Sequence, residues 1–390
     1  MKPMTVLQVI PRMRSGGAEL GCLQVARALV EAGHVALVAS AGGRMVADLE
    51  AVGARHIELP LAAKNPLTIF ANARRLADLV HRHHVDILHA RSRAPAWSTL
   101  IAARRTGTAF VTTYHSEYSE RGRIKNLYNS VMARSDTVIA VSHHMAHLIR
   151  TRYHTPEARI AVIPRAIDPA RFDPGKVDAG RVDAVRARFG AAAGDRLVIL
   201  AGRITRRKAQ DHLVEAMGEL ARRGETGVIA VLVGEIEKAD FRDELLARAR
   251  DLGVADRLRI PGHEGDMPAA YLAAAVSLNI SEQEGLPRVA LESQAMGMPV
   301  IVSDTGPGRE VALTPPDVPL EDATGLRVPY ADPAALADAL GRILALPAAQ
   351  HAAMGTRGRA HVLANYTLDK MTSATLEVYR RVLAARAAAA

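Results

Sequence analysis

Residues 281–300 read SEQEGLPRVALESQAMGMPV, and the fold of the whole 390-residue chain can be worked out from them. An apolar run, 276–280, precedes them, and a second, 299–302, closes them. Apolar run, polar loop, amphipathic stretch and apolar run together predict strand, loop, helix and strand. Pro287 suits a first helical turn, where its missing N–H would be unpaired anyway. Glu284 and Glu292 have seven residues between them. If both were helical they would lie about 80° apart and about 12 Å along the axis. That places one carboxylate at the mouth of a site and the other deeper on the same side. The amides at the helix start attract anions.

The same alternation runs outward in both directions. Short apolar runs at 6–10, 35–40, 56–59, 87–90, 110–113, 137–141 and 160–163 predict buried strands, with helical patterns between them. A break follows at 164–180, where Pro164, Pro169, Pro174 and Gly175 crowd together, and it reads as a linker. The pattern then restarts, with strands expected at 197–201, 228–233, 258–260, 276–280, 299–302 and 325–328. Helices are expected to begin near His212, Asp240, Met267, Pro287 and Pro333. Alternation of this kind builds parallel sheets covered on both faces. The expectation is therefore two doubly wound, Rossmann-like α/β domains facing a cleft, at 1–170 and 171–366. A final helix, 367–390, carries the stripe Leu368, Met371, Thr375, Val378 and Val382 and is expected to cross back to the first domain.

Composition narrows the classes. The chain is 49% apolar and 23% charged, which is globular. Its single cysteine, Cys22, excludes an intramolecular disulfide and favours a reducing compartment. No run of 18 apolar residues exists to span a bilayer. The apolar run at 6–10 is too short for a signal-peptide core, so a cytoplasmic setting is expected. The net charge of +9 is uneven: residues 1–170 hold 22 Lys and Arg against 12 Asp and Glu, the rest 28 against 29. A basic half suggests an anionic partner or a membrane surface, here the cytoplasmic face of the inner membrane; the plainer reading is an Arg-rich solvated surface. Nucleic acid is not expected, because aromatics total 4% and do not interleave with basic runs.

Several motifs carry chemistry at expected strand ends. Gly202, Arg203 and Lys208 lie in AGRITRRK, after one strand and before a helix. Two fixed cations there can hold a diphosphate and stabilise the charge that grows as it leaves. The plainer reading is a basic turn, since Arg206 and Arg207 adjoin. With Glu284 and Glu292 downstream, the set offers a phosphate site flanked by two hydroxyl acceptors, which suits a sugar nucleotide. Gly16 and Gly17 open the first helix without the dinucleotide glycine spacing. His115 follows a strand, where it can donate to a sugar hydroxyl or shape an acceptor site. His89, Arg91 and Arg93 end another strand and could meet an acidic acceptor; a plain surface cluster is the alternative. Asp266 is expected to cap the next helix. No Asp-x-Asp pair, cysteine cluster or His-Glu-x-x-His occurs, so neither a metal nor any other cofactor is expected.

These residues together resemble the GT-B fold, family 4 retaining glycosyltransferases, over nearly the whole length. The resemblance rests on Gly16-Gly17-Ala18-Glu19, His115, Gly202-Arg203 with Lys208, and Glu284 to Glu292 running on to Gly297-Met298-Pro299-Val300. It implies that Arg203 and Lys208 bind a donor diphosphate, that Glu292 accepts from ribose hydroxyls, and that Glu284 and the amides of Gly285 to Arg288 hold the transferred sugar. Gly16, Gly17, Gly202, Gly285, Leu286, Arg288, Val289 and Glu292 would surround the donor. His115, Glu284, Arg203 and Lys208 would stand at the reacting centre. Two departures stand out: Ala209 follows Lys208 where the family often has Gly, and Gly285-Leu286-Pro287 replaces a more usual aromatic-Gly pair. Residues 89–97 and 128–134 look like an alphaproteobacterial subgroup of lipopolysaccharide core glycosyltransferases. The implied reaction moves a hexose from a nucleotide-sugar donor to a glycolipid or lipopolysaccharide-core acceptor. The rivals are a sugar-nucleotide epimerase on the same fold and transfer to a non-lipid acceptor such as an exopolysaccharide or small molecule.

Overall fold

The computed structural model describes residues 3–14, 16–118 and 122–389. They form two compact units. The first comprises the residues up to Arg165 with those from Leu368 on, and the second runs from Ala166 to Thr367. The boundary expected at residue 170 therefore falls at Arg165. The cause is local: Ile167 N–H donates to the Tyr366 carbonyl at 2.9 Å, and Ile167 pairs with Thr367 in a parallel bridge.

In the first unit the order is β1 (Thr5–Val9), α1 (Gly17–Glu31), β2 (Val35–Ser40), α2 (Val46–Ala51), β3 (Arg55–Glu58), α3 (Pro66–His83), β4 (Ile87–Ala90), α4 (Arg93–Thr106), β5 (Ala109–Tyr114), α5 (Arg123–Asn129), β6 (Thr137–Ala140), α6 (His143–Tyr153) and β7 (Ile160–Val162). The strands make one parallel sheet in the order β3-β2-β1-β4-β5-β6-β7. Helices cover both faces, so the strands can be apolar throughout: Val6, Leu7 and Val9 are fully buried. The order reverses between β1 and β4, and ligands of such sheets gather beyond the strand ends at that reversal.

The second unit contains α7 (Ala179–Arg188), β8 (Arg196–Ala201), α8 (Gln210–Arg222), β9 (Val228–Val233), α9 (Ala239–Asp251), β10 (Leu258–Gly262), α10 (Met267–Ala273), β11 (Ala274–Asn279), α11 (Arg288–Ala295), β12 (Val300–Ser303), α12 (Gly306–Val311), β13 (Gly325–Val328), α13 (Pro333–Leu344) and α14 (Ala348–Asn365). Its parallel sheet runs β10-β9-β8-β11-β12-β13 and reverses between β8 and β11. Every strand expected from the apolar runs is present, with ends within two residues of the expected ones. The expected linker at 164–180 is shorter, because α7 begins at Ala179 under a cap: the Asp178 carboxylate accepts from the Arg181 N–H at 2.9 Å.

The last helix, α15 (Leu368–Ala389), belongs to the first unit. Leu376, Val378, Tyr379 and Val382 enter the core there with Leu23, Val25 and Leu29 of α1. Tyr379, which the apolar stripe omits, is fully buried and its hydroxyl lies 2.6 Å from His89 Nδ1. His89 Nε2 in turn lies 2.7 Å from the Thr113 hydroxyl. One nitrogen of a neutral imidazole donates and the other accepts, so the ring joins α15 to β4 and β5 with both nitrogens satisfied. Replacing Tyr379 by Phe leaves one His89 nitrogen buried without its partner. It should cost about 1–3 kcal/mol of unfolding free energy, read by urea denaturation. An unchanged denaturation curve would count against the link.

Candidate functional site

In the second unit the site grows from the ends of β8 and β11. After β8 the backbone turns at Gly202, whose φ is +144°. Gly234, after β9, has φ +151°, and a Cβ there would stand 2.0 Å from the Gly202 carbonyl oxygen, so only glycine fits this approach. The turn carries Arg203 outward and Lys208 inward. Arg203 is exposed and pairs with Glu237 at 3.1 Å. Lys208 forms an ion pair with Glu284, and both side chains are largely buried, at 24% and 15% exposure. The loops after the two strands at the reversal are thereby joined. Ala209 follows in the left-handed region, φ +56°, fully buried. A Cβ is disfavoured in that region, and this chain carries the strain.

Glu284 lies in the loop, four residues before α11, not on the helix. The expected 80° and 12 Å helical relation to Glu292 therefore does not hold. Pro287 takes the N-cap place with φ −75° and ψ 99°, and α11 starts at Arg288. No side chain caps it and no acid lies in its first turn. Glu292 is held from two sides, by Arg288 at 2.6 Å, one helical turn earlier, and by the Tyr271 hydroxyl at 3.4 Å. Burial first, and then the neighbouring Glu292, push the Tyr271 hydroxyl well above its usual range, so it remains a donor. Leu286 is fully buried, so only its backbone can face a ligand, while Gly285 is buried and Val289 half-buried. Asp266 caps α10 as expected, accepting from the Ala269 N–H at 3.2 Å, and also grips Arg181.

In the first unit the expected acceptor residues have other work. His89 is fully buried in the link to Tyr379 and Thr113. Arg91 is 4% exposed and donates to the Gln8 side-chain oxygen at 2.7 Å. Neither reaches the surface, which corrects the expectation that they meet an acceptor. Arg93 is half-buried, donating to Asn129 at 2.7 Å and stacking over Tyr118 at 4.0 Å. His115, just beyond β5, differs from all three. Both its ring nitrogens are buried, and among the described residues neither has a hydrogen-bond partner. Its carbonyl accepts from Arg165 at 2.8 Å. Burial, with Arg165 and Arg91 nearby, holds the ring well below its usual pKa, so it is neutral and offers one donor and one acceptor. Gly16 is the N-cap of α1 and Gly17 its first residue, and no side chain caps that helix.

Two contributors escaped the sequence reading, and so did the i, i+4 pairing with Glu292 of Arg288, itself expected beside the donor. Glu237 and Tyr379 had no local signal, since each meets its partner across 34 and 290 residues. Among the described residues no group of three or more His, Cys, Asp or Glu could hold a metal ion, and no helix is long and apolar enough to cross a membrane.

Comparison with known proteins agrees on one class. Residues 15–171 match the Glycosyltransferase Family 4 model, and residues 195–345 match that of Glycosyl transferases group 1. The chain is 30% identical over 329 residues to a D-inositol 3-phosphate glycosyltransferase of Nocardiopsis dassonvillei, covering 78% of this chain and 72% of that protein. It is 31% identical over 327 residues to the GDP-mannose-dependent alpha-(1-6)-phosphatidylinositol monomannoside mannosyltransferase of Mycolicibacterium smegmatis, covering 79% and 70%. A crystal structure of a glycosyltransferase from Rickettsia africae superposes with a TM-score of 0.88 at 29% identity, covering 98% of this chain and 99% of that one.

The two histidines lowered most give stability a pH dependence, to which the smaller shifts of His34, His56, His83 and His361 add in the same direction. Unfolded histidines titrate near 6.5, whereas His89 and His115 stay neutral to lower pH in the fold. As pH falls the unfolded chain takes up these protons first. Their contribution is complete above about 6.5 and is lost as pH drops below it. His115→Leu removes one of the two larger slopes and sacrifices no ring hydrogen bond. Its urea midpoint at about pH 5 should exceed that of the parent. A lower midpoint would mean that the His115 ring is bonded within the protein.

Proposed function

The chain belongs to the family 4 glycosyltransferases, and from that premise we propose that it is a retaining, metal-independent enzyme that moves a hexose from a nucleotide-sugar donor to an anionic glycolipid acceptor. The observation that carries the donor half is the Lys208–Glu284 pair at the β8/β11 reversal, with Glu292 fixed one short helix away by Arg288 and Tyr271. In this reading the donor diphosphate takes the Lys208 ammonium as its counter-charge, with Arg203 swinging from the exposed Glu237 to join it. Glu284, released from part of its pairing, accepts from the hydroxyls of the transferred sugar. Glu292 accepts from the ribose. The uncapped amides at the start of α11, with those of Gly285 and Leu286, face the anionic donor, and Gly202 leaves its backbone open beside Lys208. In the first unit, His115 offers its ring to a sugar hydroxyl, and the uncapped start of α1 at Gly16 and Gly17 offers amides to an anion.

The bond between the sugar anomeric carbon and the diphosphate oxygen breaks, and the acceptor oxygen bonds to the same carbon from the same face. The acceptor proton passes to the departing phosphate, so no carboxylate needs to become covalently attached. Catalysis then rests on holding the reactants and on stabilising the leaving charge. The acceptor class is supported by the excess of basic residues in the first unit and by the phosphatidylinositol acceptor in the name of the Mycolicibacterium relative. The likeness of residues 89–97 and 128–134 to lipopolysaccharide core enzymes makes such a core the preferred glycolipid. The inositol phosphate in the name of the Nocardiopsis relative favours a second reading, a soluble sugar-alcohol phosphate, which is also an anion.

Donor identity is tested by thermal shift against UDP-, GDP- and ADP-sugars, since a ligand stabilises the state it binds. Turnover with the stabilising donor and either acceptor class then separates the two readings. Lys208→Ala should lower turnover roughly a hundredfold or more, on the scale of about 2.7–4 kcal/mol for one lost charge contact at a leaving oxygen. Near-normal turnover would remove Lys208 from the mechanism. An inverted anomeric centre in the product, seen by NMR, would overturn the retaining assignment.

A further inference from the structure

Four of the large apolar side chains that protrude from the described surface lie in the first unit around one helix. Leu67 is 84% exposed and Phe70 64%, in the first turns of α3; Ile124 is 86% and Leu127 56% exposed, on α5. The helix between them is α4. Its Ser98 hydroxyl donates to the Ile69 carbonyl of α3 at 3.0 Å, and the indole N–H of its Trp97 donates to the Tyr128 carbonyl of α5 at 3.1 Å. Adjacent residues of α4 therefore touch both neighbours, and the two protruding pairs flank the same end of it.

The charge on the stretches that carry them is of one sign. Residues 59–77, 91–108 and 122–135, which contain the first half of α3, all of α4 and all of α5, hold ten Lys and Arg and no Asp or Glu. Lys64, Arg74, Arg75, Arg123 and Arg134 are exposed, and the Arg134 guanidinium lies over the Trp97 ring at 5.6 Å. Only Arg91 among the ten is fully inside.

We propose that this α3–α4–α5 face docks on an anionic lipid bilayer, with Leu67, Phe70, Ile124 and Leu127 entering the headgroup region and the surrounding Lys and Arg meeting lipid phosphates. The proposal gives the glycolipid reading a surface and rests on that reading for its purpose, not for its binding. Apolar side chains standing out of basic stretches that hold no acid are what an anionic interface retains. A second copy of this chain would bring the same positive face and be repelled. Nucleic acid would answer the charge, but three of the four protruding groups are aliphatic and give bases no ring to stack on.

The test is co-flotation of the whole chain, without donor or acceptor, on vesicles of phosphatidylcholine alone and of phosphatidylcholine with phosphatidylglycerol at about three to one. Binding to the anionic vesicles should be about tenfold tighter or more than to the neutral ones and should weaken as salt rises. Leu67→Ser, Phe70→Ser, Ile124→Ser and Leu127→Ser combined should lose at least about tenfold of it. The thermal midpoint should be unchanged, since these groups are already in water. Arg123→Glu with Lys125→Glu is the second variant, expected to lose anionic selectivity, should the first fail to fold. The proposal is overturned if the parent does not float, if both variants float like the parent, or if the parent binds a single-stranded oligonucleotide but no vesicle. Donor thermal shift on the same samples keeps the outcomes apart: lost flotation with an intact shift removes this surface and leaves the transferase, and the reverse removes the donor reading alone.

Discussion

The ion pair between Lys208 and Glu284 is the constraint on which the second unit's site depends. It ties the loop after β8 to the loop after β11 at the one place where the strand order of that sheet reverses. Both partners are largely withdrawn from water, so the pair is screened less than one on the surface. The loops are accordingly built to keep it. Gly202 and Gly234 let the β8 and β9 ends approach as only glycine can, and Ala209 is held at a positive φ so that Lys208 turns inward. Without ligand, the pair satisfies itself. On the donor reading proposed above, a diphosphate would take the place of the carboxylate beside Lys208, and a sugar hydroxyl, a neutral donor, would take part of the place of the ammonium beside Glu284.

The first unit shows the opposite arrangement within a few residues. His89 has both ring nitrogens bonded and joins three elements, whereas His115 has both buried and unpaired. Buried polar groups without partners cost stability, and they persist where function holds them. The two histidines end neighbouring strands, and their titration is lowered by the same burial and by the same Arg91. Electrostatics alone cannot tell them apart. Hydrogen-bond satisfaction does: it assigns His89 to the fold, and it gives His115 no such work among the described residues.

That distinction also marks how far the sequence could be read. Strands were legible because sheets covered on both faces need unbroken apolar runs such as Val228–Val233, and the site glycines and cations were legible because they follow those runs directly. The i, i+4 spacing of Arg288 and Glu292 was there to be read as well. The geometry of Glu284 was not, because Pro287 delays the helix to Arg288 and a spacing of eight says nothing when half of it is loop. Nor were the roles of His89 and Arg91. Their partners, Tyr379 and Gln8, are brought to them only by the folded sheet and by a final helix 290 residues on from His89. A strand-end histidine followed by two arginines looks like a binding cluster until the residues packed on it are known.

The charge pattern repeats the lesson at larger scale. Counting by half-chain finds the basic excess but does not say whether it is spread or gathered. With the final helix included, the first unit holds 26 Lys and Arg against 13 Asp and Glu, so acids are not scarce there. They are absent from the stretches that build α4 and the parts of α3 and α5 beside it, while Asp78, Asp86 and Asp136 lie outside those stretches, and Asp136 is taken by Arg386 of α15. A merely soluble, Arg-rich surface would intersperse both signs, since mixed charges favour solubility without building a field. Segregation of sign together with protruding Leu and Ile is a joint constraint that solubility alone does not impose. It is the coincidence of the two on neighbouring helices, rather than the net charge, that gives the first unit a directed surface.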